Sequence, residues 1–191
     1  MNGGISLKIL IVIDMQKDFI DGALGTKEAV AILPNVVKRI EESTRELILF
    51  TKDTHGENYL ETPEGKKLPV KHCIKGTDGW QINESVLNAW KENKTAIIAA
   101  ESVGNIFEKS VFGSTMLVDC IRRLHEECAR ISEIDIIGVC TDVCVISNAI
   151  MLKNYLPDIE ISVIENCCAG VTPQGHKEAL NTMKMCHINI I

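Results

Sequence analysis

The sequence predicts a three-layer α/β/α domain built on a mainly parallel six-stranded sheet. Three observations carry that prediction. Six short runs rich in β-branched residues are nearly continuous in apolar character, as strands buried on both faces must be. Between them stand longer segments with apolar residues at helical spacing and charges on the opposite face. The two kinds of segment alternate, which calls for right-handed crossovers and a parallel sheet covered on both sides.

The strands are read at KILIVID (8–14), ELILFTK (46–52), TAIIAAE (95–101), EIDIIGV (133–139), EISVIEN (160–166) and HINII (187–191). The helices are read at 27–43, 113–129, 143–155 and 173–185. The last of these shows its start signal plainly, with Thr172 as the cap and Pro173 at the first helical position, where a missing N–H is no loss. Residues 53–93 read as one long irregular region, the place for a binding loop. No repeat, low-complexity tract or linker interrupts the pattern, so residues 1–191 are expected to form one domain.

Composition narrows the function. A chain of 191 residues can bury roughly 70% of the surface its unfolded form exposes, so it should fold without covalent staples. Eight cysteines then read as free thiols, most of them small buried hydrophobes. The NCCAG stretch at 166–170 reads as the packed end of the fifth strand, and Cys73, Cys120, Cys128 and Cys186 as packing residues. His125, His176 and His187 read as surface or core histidines. The net charge of −6, with scattered lysines and arginines, argues against a nucleic-acid partner. No apolar run approaches the roughly 20 residues of a membrane span, and the amino terminus lacks a basic leader and a small-residue cleavage site. The expected location is cytoplasmic and the expected partner a small molecule.

Ligands of such sheets collect outside the carboxyl ends of the strands. The first strand ends on Asp14. The second ends in TKDTH, whose Asp53 and His55 share one side of an extended segment, and His72 follows in PVKHC. One carboxylate and two imidazoles form a set suited to a divalent transition metal with open positions. The third strand leads to Lys109 in NIFEKSVFGST. The fourth runs into GVCTDVCVISNA, which puts Cys144 in the first turns of a helix, an environment that lowers a thiol's pKa. Singly, each has a plainer reading: Asp14 as a loop cap, Lys109 as a solvated lysine, Cys140 and Cys144 as packing or a metal pair. Their delivery to one sheet edge by consecutive strands points to a site.

From LIVIDMQKDF through TKDTH, PVKHCIKGTDGW and EKSVFGS to GVCTDVCV and CCAGVTP, the chain resembles the isochorismatase-like cysteine hydrolases, and among them the nicotinamidase-related branch. The resemblance spans nearly the whole chain and implies an isochorismatase-like, Rossmann-like topology. It makes Asp14 the general base, Lys109 the third member of the triad and Cys144 the nucleophile. It also implies a non-proline cis peptide before Cys140 and an oxyanion hole from the Cys140 and Cys144 N–H groups. Asp53, His55 and His72 would hold one divalent metal ion, with zinc first and iron or manganese as the other candidates. GENYLETPEGKKLP holds no further histidine, so Glu64 is the candidate fourth ligand, with Glu61 behind it. Phe19 would stand beside the substrate ring. Leu68, Pro69 and Val70 occupy the stretch where many nicotinamidases place a tryptophan.

The activity implied is amide hydrolysis through a Cys144 thioester, with nicotinamide as substrate and NAD salvage as setting. An amidase for N-carbamoyl or ureido substrates, an isochorismatase-type hydrolase and a catalytically silent binding protein stay open beside it. The resemblance also implies a homodimer or homotetramer.

Overall fold

The computed structural model of the chain describes residues 6–96, 104–128 and 130–191. Its sheet contains β1 (Leu7–Ile13), β2 (Glu46–Asp53), β3 (Ile106–Lys109), β4 (Ile131–Val139), β5 (Glu160–Ala169) and β6 (Asn189–Ile190). All neighbours pair in parallel, in the order β3-β2-β1-β4-β5-β6. The helices are α1 (Lys17–Ile20), α2 (Lys27–Glu41), α3 (Glu84–Glu92), α4 (Thr115–Arg123), α5 (Ile146–Tyr155) and α6 (Pro173–Met185).

The period of two along β1 explains the layers. Ile9, Ile11 and Ile13 face one core with Leu117 and Ile121 of α4, Leu152 of α5 and Met183 of α6. Leu10 and Val12 face the other, with Val36 and Ile40 of α2 and Val86 of α3. Every one of these side chains is essentially solvent-free. At roughly 1.5–3 kcal/mol for each fully buried large aliphatic side chain, the two faces of this central strand are a major source of stability. Capping sets the helix starts: Thr26 accepts from Ala29 N–H, Ser114 from Leu117 N–H and Thr172 from Gly175 N–H.

Three elements depart from the sequence reading. Of the expected third strand, Thr95 and Ala96 lie in a turn and bend, and residues 97–101 fall outside the described residues. The strand that pairs with β2 is the four-residue β3, which contains Lys109 instead of preceding it. Its alternating burial suits a strand bonded on one side to β2, and that is why it shows no continuous apolar run. Residues 53–93 are not wholly irregular. They include α3, capped by Asn83 and packed through Val86 and Ala89, and a short 3₁₀ turn at Tyr59–Glu61. Leu87 and Trp90 also pack on the same core as Val86, Trp90 edge-on to Phe50, but nine residues are too few for the helical period to stand out. The helical segment read at 143–155 begins with a π turn at Thr141–Val145, and α4 runs on into a second one at Leu124–Cys128.

The chain works outward from β1 through β2 to β3, then returns to β4 on the other side of β1. This reversal makes the β1/β4 boundary the switch point, and the crevice beyond their carboxyl ends is where such sheets bind ligands. The two backbones close tightly there. Gly138 has φ +122°, and a Cβ on it would come 2.1 Å from the Ile13 carbonyl oxygen, so only glycine fits. Both strands leave the sheet abruptly: Asp14 has φ +46°, and the Val139–Cys140 peptide bond is cis, as the resemblance implies. Among the described residues, no helix is long and apolar enough to cross a membrane.

Candidate active site

Asp14 is fully buried just past β1. Thr51 of β2 holds it twice, donating from Oγ1 to Asp14 Oδ1 at 2.7 Å and accepting from the Asp14 N–H at 3.2 Å. Lys109 Nζ lies 2.7 Å from Asp14 Oδ2, 3.6 Å from Asp53 Oδ1 and 3.5 Å from Cys144 Sγ. One buried ammonium therefore touches both the carboxylate and the thiol. The Lys109–Asp14 contact is an ion pair without hydrogen-bond alignment, which leaves Asp14 Oδ2 without a hydrogen-bond partner.

Cys144 is presented by the π turn after β4. The Cys140 carbonyl accepts from the Val143 and Val145 N–H groups at 3.1 and 3.0 Å, closing that turn. Three side chains anchor it. Asp142 Oδ1 accepts from Val171 N–H at 2.9 Å, and Thr141 Oγ1 lies 2.8 Å from His176 Nδ1. The fully buried Asn148 donates to the Cys144 carbonyl at 2.8 Å and to the Phe112 carbonyl at 3.2 Å, and accepts from Ser114 N–H at 3.0 Å. It thereby ties the Cys144 turn to the loop after β3.

The electrostatics differ from the sequence expectation. Burial would lower the Lys109 pKa, but Asp14, Cys144 and Asp53 outweigh it and hold the ammonium charged. Burial pushes the Asp14 carboxyl up, with Lys109 opposing. Burial and then the Asp14 carboxylate push the Cys144 thiol well up, so a position in the first turns of a helix does not make it a resting thiolate. Of Asp14 and Cys144, the carboxyl is intrinsically the stronger acid, so negative charge beside Lys109 favours Asp14. On that ordering a proton shared by the two groups favours sulfur. Burial likewise raises the Cys140 thiol to about 12.

Beside this cluster, Asp53, His55 and His72 converge, with one ligand atom from each within 4.8 Å of the others, and all three are buried. The Gln16 side chain sets the end of β2, donating to the Asp53 carbonyl and accepting from its N–H at 2.8 and 2.7 Å. His72 Nδ1 lies 2.8 Å from the Val70 carbonyl, an oxygen that can only accept. That contact fixes the proton on Nδ1 and leaves Nε2 with a free lone pair. His55 Nε2 stands 2.9 Å from Asp53 Oδ2 but, among the described residues, makes no hydrogen bond to it or to any other group. A buried imidazole nitrogen without a partner, a second aimed at the same carboxylate oxygen and a carboxylate between them fit a divalent cation. Burial opposes ionisation of Asp53, yet His55, His72 and Lys109 hold its carboxyl well below the usual range. Of the two glutamates considered, Glu64 reaches toward this set, with Oε1 4.0 Å from His72 Nε2, whereas Glu61 is exposed on the 3₁₀ turn.

A cavity of about 160 Å³ joins the two clusters, with Cys140, Cys144, Asp53, Glu64 and His72 in its walls. Phe19 lines it and packs against His72, ring centroids 5.5 Å apart. Leu24, Thr26, Leu68, Phe112, Val143 and Val171 complete it. The sequence reading did not find Phe112, Thr51, Gln16, Asn148 or Tyr59, which packs against both imidazoles and donates to the Leu68 carbonyl. Phe112 had a signal, since it directly precedes the Gly-Ser turn after Lys109. Thr51 and Gln16 act through partners 37 residues away, and Asn148 through Ser114 34 residues away as well as through nearby Cys144.

The family model described as Isochorismatase domain matches residues 8–191. Among curated proteins, the nicotinamidase/pyrazinamidase of Mycobacterium tuberculosis is 25% identical over 191 residues, covering 97% of this chain and 98% of that one. Among solved structures, the pyrazinamidase/nicotinamidase of Streptococcus mutans is similar with a TM-score of 0.78 and 28% identity, over 96% of this chain and 99% of that one. The pyrazinamidase of Pyrococcus horikoshii in complex with zinc is similar with a TM-score of 0.73 and 25% identity, over 96% and 98%.

Proposed function

The chain belongs to the isochorismatase family, and on that premise we propose that it is a metal-assisted cysteine amidohydrolase that converts nicotinamide to nicotinate and ammonia. The observation that carries this reading is the contact of one buried ammonium, Lys109 Nζ, with both Asp14 and Cys144. A base and a thiol held around one cation are the parts an amidase needs to make a nucleophile on demand. The names of the relatives above support nicotinamide as the substrate.

The chemistry follows from the resting proton. Asp14 takes the proton of Cys144 as sulfur attacks the amide carbonyl carbon, so that charge moves between two groups already beside Lys109. The oxygen of the tetrahedral intermediate gathers negative charge, for which the N–H groups of Cys140 and Cys144 are the proposed donors. Asp14 then protonates the departing nitrogen, the C–N bond breaks, and ammonia leaves a thioester on Cys144. A water gives its proton to Asp14 and adds to the thioester carbonyl. Collapse expels the sulfur, which recovers that proton, and nicotinate departs.

Asp53, His55 and His72 would hold the metal, with Glu64 as the fourth side chain within reach, and zinc is the proposed ion, in line with the zinc complex of the similar pyrazinamidase. A divalent ion there would act as a Lewis acid, orienting a donor atom of the substrate and easing the ionisation of water. Phe19, against His72, would bound the ring.

Ammonia release from nicotinamide by purified, metal-analysed protein tests the proposal. Release that depends on the metal and is lost in Cys144→Ala is expected. Inertness toward nicotinamide, with turnover of an N-carbamoyl compound through Cys144, would leave the nucleophile and remove the substrate.

A further inference from the structure

The cavity that holds Cys144 is not closed on its outer side. Beyond it lies a groove of about 510 Å³, and the two share Glu64, Leu68, Phe112 and Val143 as common walls. The groove adds Pro63, Lys67 and Val111. Apart from Glu64 and Lys67 its walls are apolar. Three of its side chains stand well into solvent, Leu68 at 38%, Phe112 at 50% and Val111 at 62% exposure. Large apolar groups clustered at the mouth of a catalytic cavity mark a binding surface more often than an idle one.

We propose that this groove is an outer subsite, and that the enzyme takes aromatic primary amides carrying an apolar substituent on the ring. This rests on the amidase reading of the inner cavity. The carboxamide and ring fill the 160 Å³ space beside Cys144, which is too small for much more. The substituent leaves between Leu68 and Phe112 and lies against Val111. The four walls that the cavity and the groove share favour this occupant over a separate ligand.

The test uses nicotinamide and its isomers bearing a propyl group on each free ring carbon. Binding is measured by calorimetry on Cys144→Ala protein, or Cys144→Ser if the alanine variant does not fold, and turnover on the wild type. At least one isomer should bind about tenfold more tightly than nicotinamide, the gain expected from partly burying three methylene-sized groups. Its KM should fall by a similar factor with little change in kcat. Val111→Asn should cut the ratio of propyl to parent affinity about threefold, and Val111→Trp, which fills the groove, should abolish it. Every isomer binding no more tightly than nicotinamide would overturn the subsite, whether or not nicotinamide is hydrolysed. Tighter binding of an isomer with no turnover of any amide would instead uphold the subsite and remove the amidase reading.

Discussion

Lys109 Nζ stands 2.7 Å from Asp14 Oδ2, and both side chains are almost completely removed from solvent. Such a pair survives burial only because each charge answers the other, and Cys144 Sγ at 3.5 Å completes the set. Replacing Lys109 with Met leaves Asp14 uncompensated, so Asp14 should take up a proton and lose its capacity as base. Steady-state ammonia release should fall by a factor of about 10³ in kcat. Thermal unfolding should show a loss of about 3–5 kcal/mol if Asp14 stays charged, and less if it protonates. Activity within threefold of wild type would show that Lys109 is only a structural counter-ion.

Thr51→Val removes the hydroxyl that donates to Asp14 Oδ1 while keeping the shape of the side chain. That bond stabilises the ionised carboxylate, so its loss raises the Asp14 pKa further. As the proposed base, Asp14 would work ionised, and the acid limb of kcat/KM should therefore move to higher pH. An unmoved acid limb would separate Asp14 from the titration that limits activity.

Because the Cys144 thiol is pushed above the ordinary thiol value of 9.0, its alkylation by iodoacetamide should be slow at neutral pH and should climb only beyond that value. Mass spectrometry of labelled peptides, read against the pH of the reaction, measures this directly. Fast labelling at pH 7 would mean that sulfur, and not Asp14, carries the resting negative charge. Slow labelling of the resting protein is thus compatible with a nucleophile that ionises only as it attacks.

Metal analysis of the purified protein should find about one divalent ion per chain, as a site of three or four side-chain ligands implies. Removal by a chelator should lower the unfolding temperature, because the buried His55 Nε2 then has no partner. His72→Ala should weaken metal affinity by about 100-fold or more, and Glu64→Ala by less. Equal losses from the two variants would make Glu64 a full ligand.

Asn148 makes three hydrogen bonds between the nucleophile turn and the loop after β3. Asn148→Ala should destabilise the protein by about 2–4 kcal/mol, since the Cys144 carbonyl and Ser114 N–H lose buried partners. It should also lower kcat with little effect on KM, through a displaced Cys144. Unfolding measurements and kinetics on the same preparation distinguish the two effects.

Much of this protein is local and therefore legible in its sequence. The buried strands read as continuous apolar runs because both of their faces meet a core, and α6 announces its start through Thr172 and Pro173. Asp14, Asp53, His55, Lys109 and Cys144 could be gathered to one edge because parallel strands deliver their carboxyl ends together. What the tertiary structure decided depends on distance. Edge strand β3, which pairs on one side with β2 alone, and α3, only nine residues long, have patterns too short to stand out. Thr51 and Gln16, the Asn148 bonds to the loop after β3 and the Tyr59 contact with His72 depend on partners brought close by the fold. The charge state of the Cys144 thiol is the sharpest case. Its helix position argued for a thiolate, but burial beside Asp14 decides for the thiol, and burial is a property of the packed chain rather than of any stretch of it.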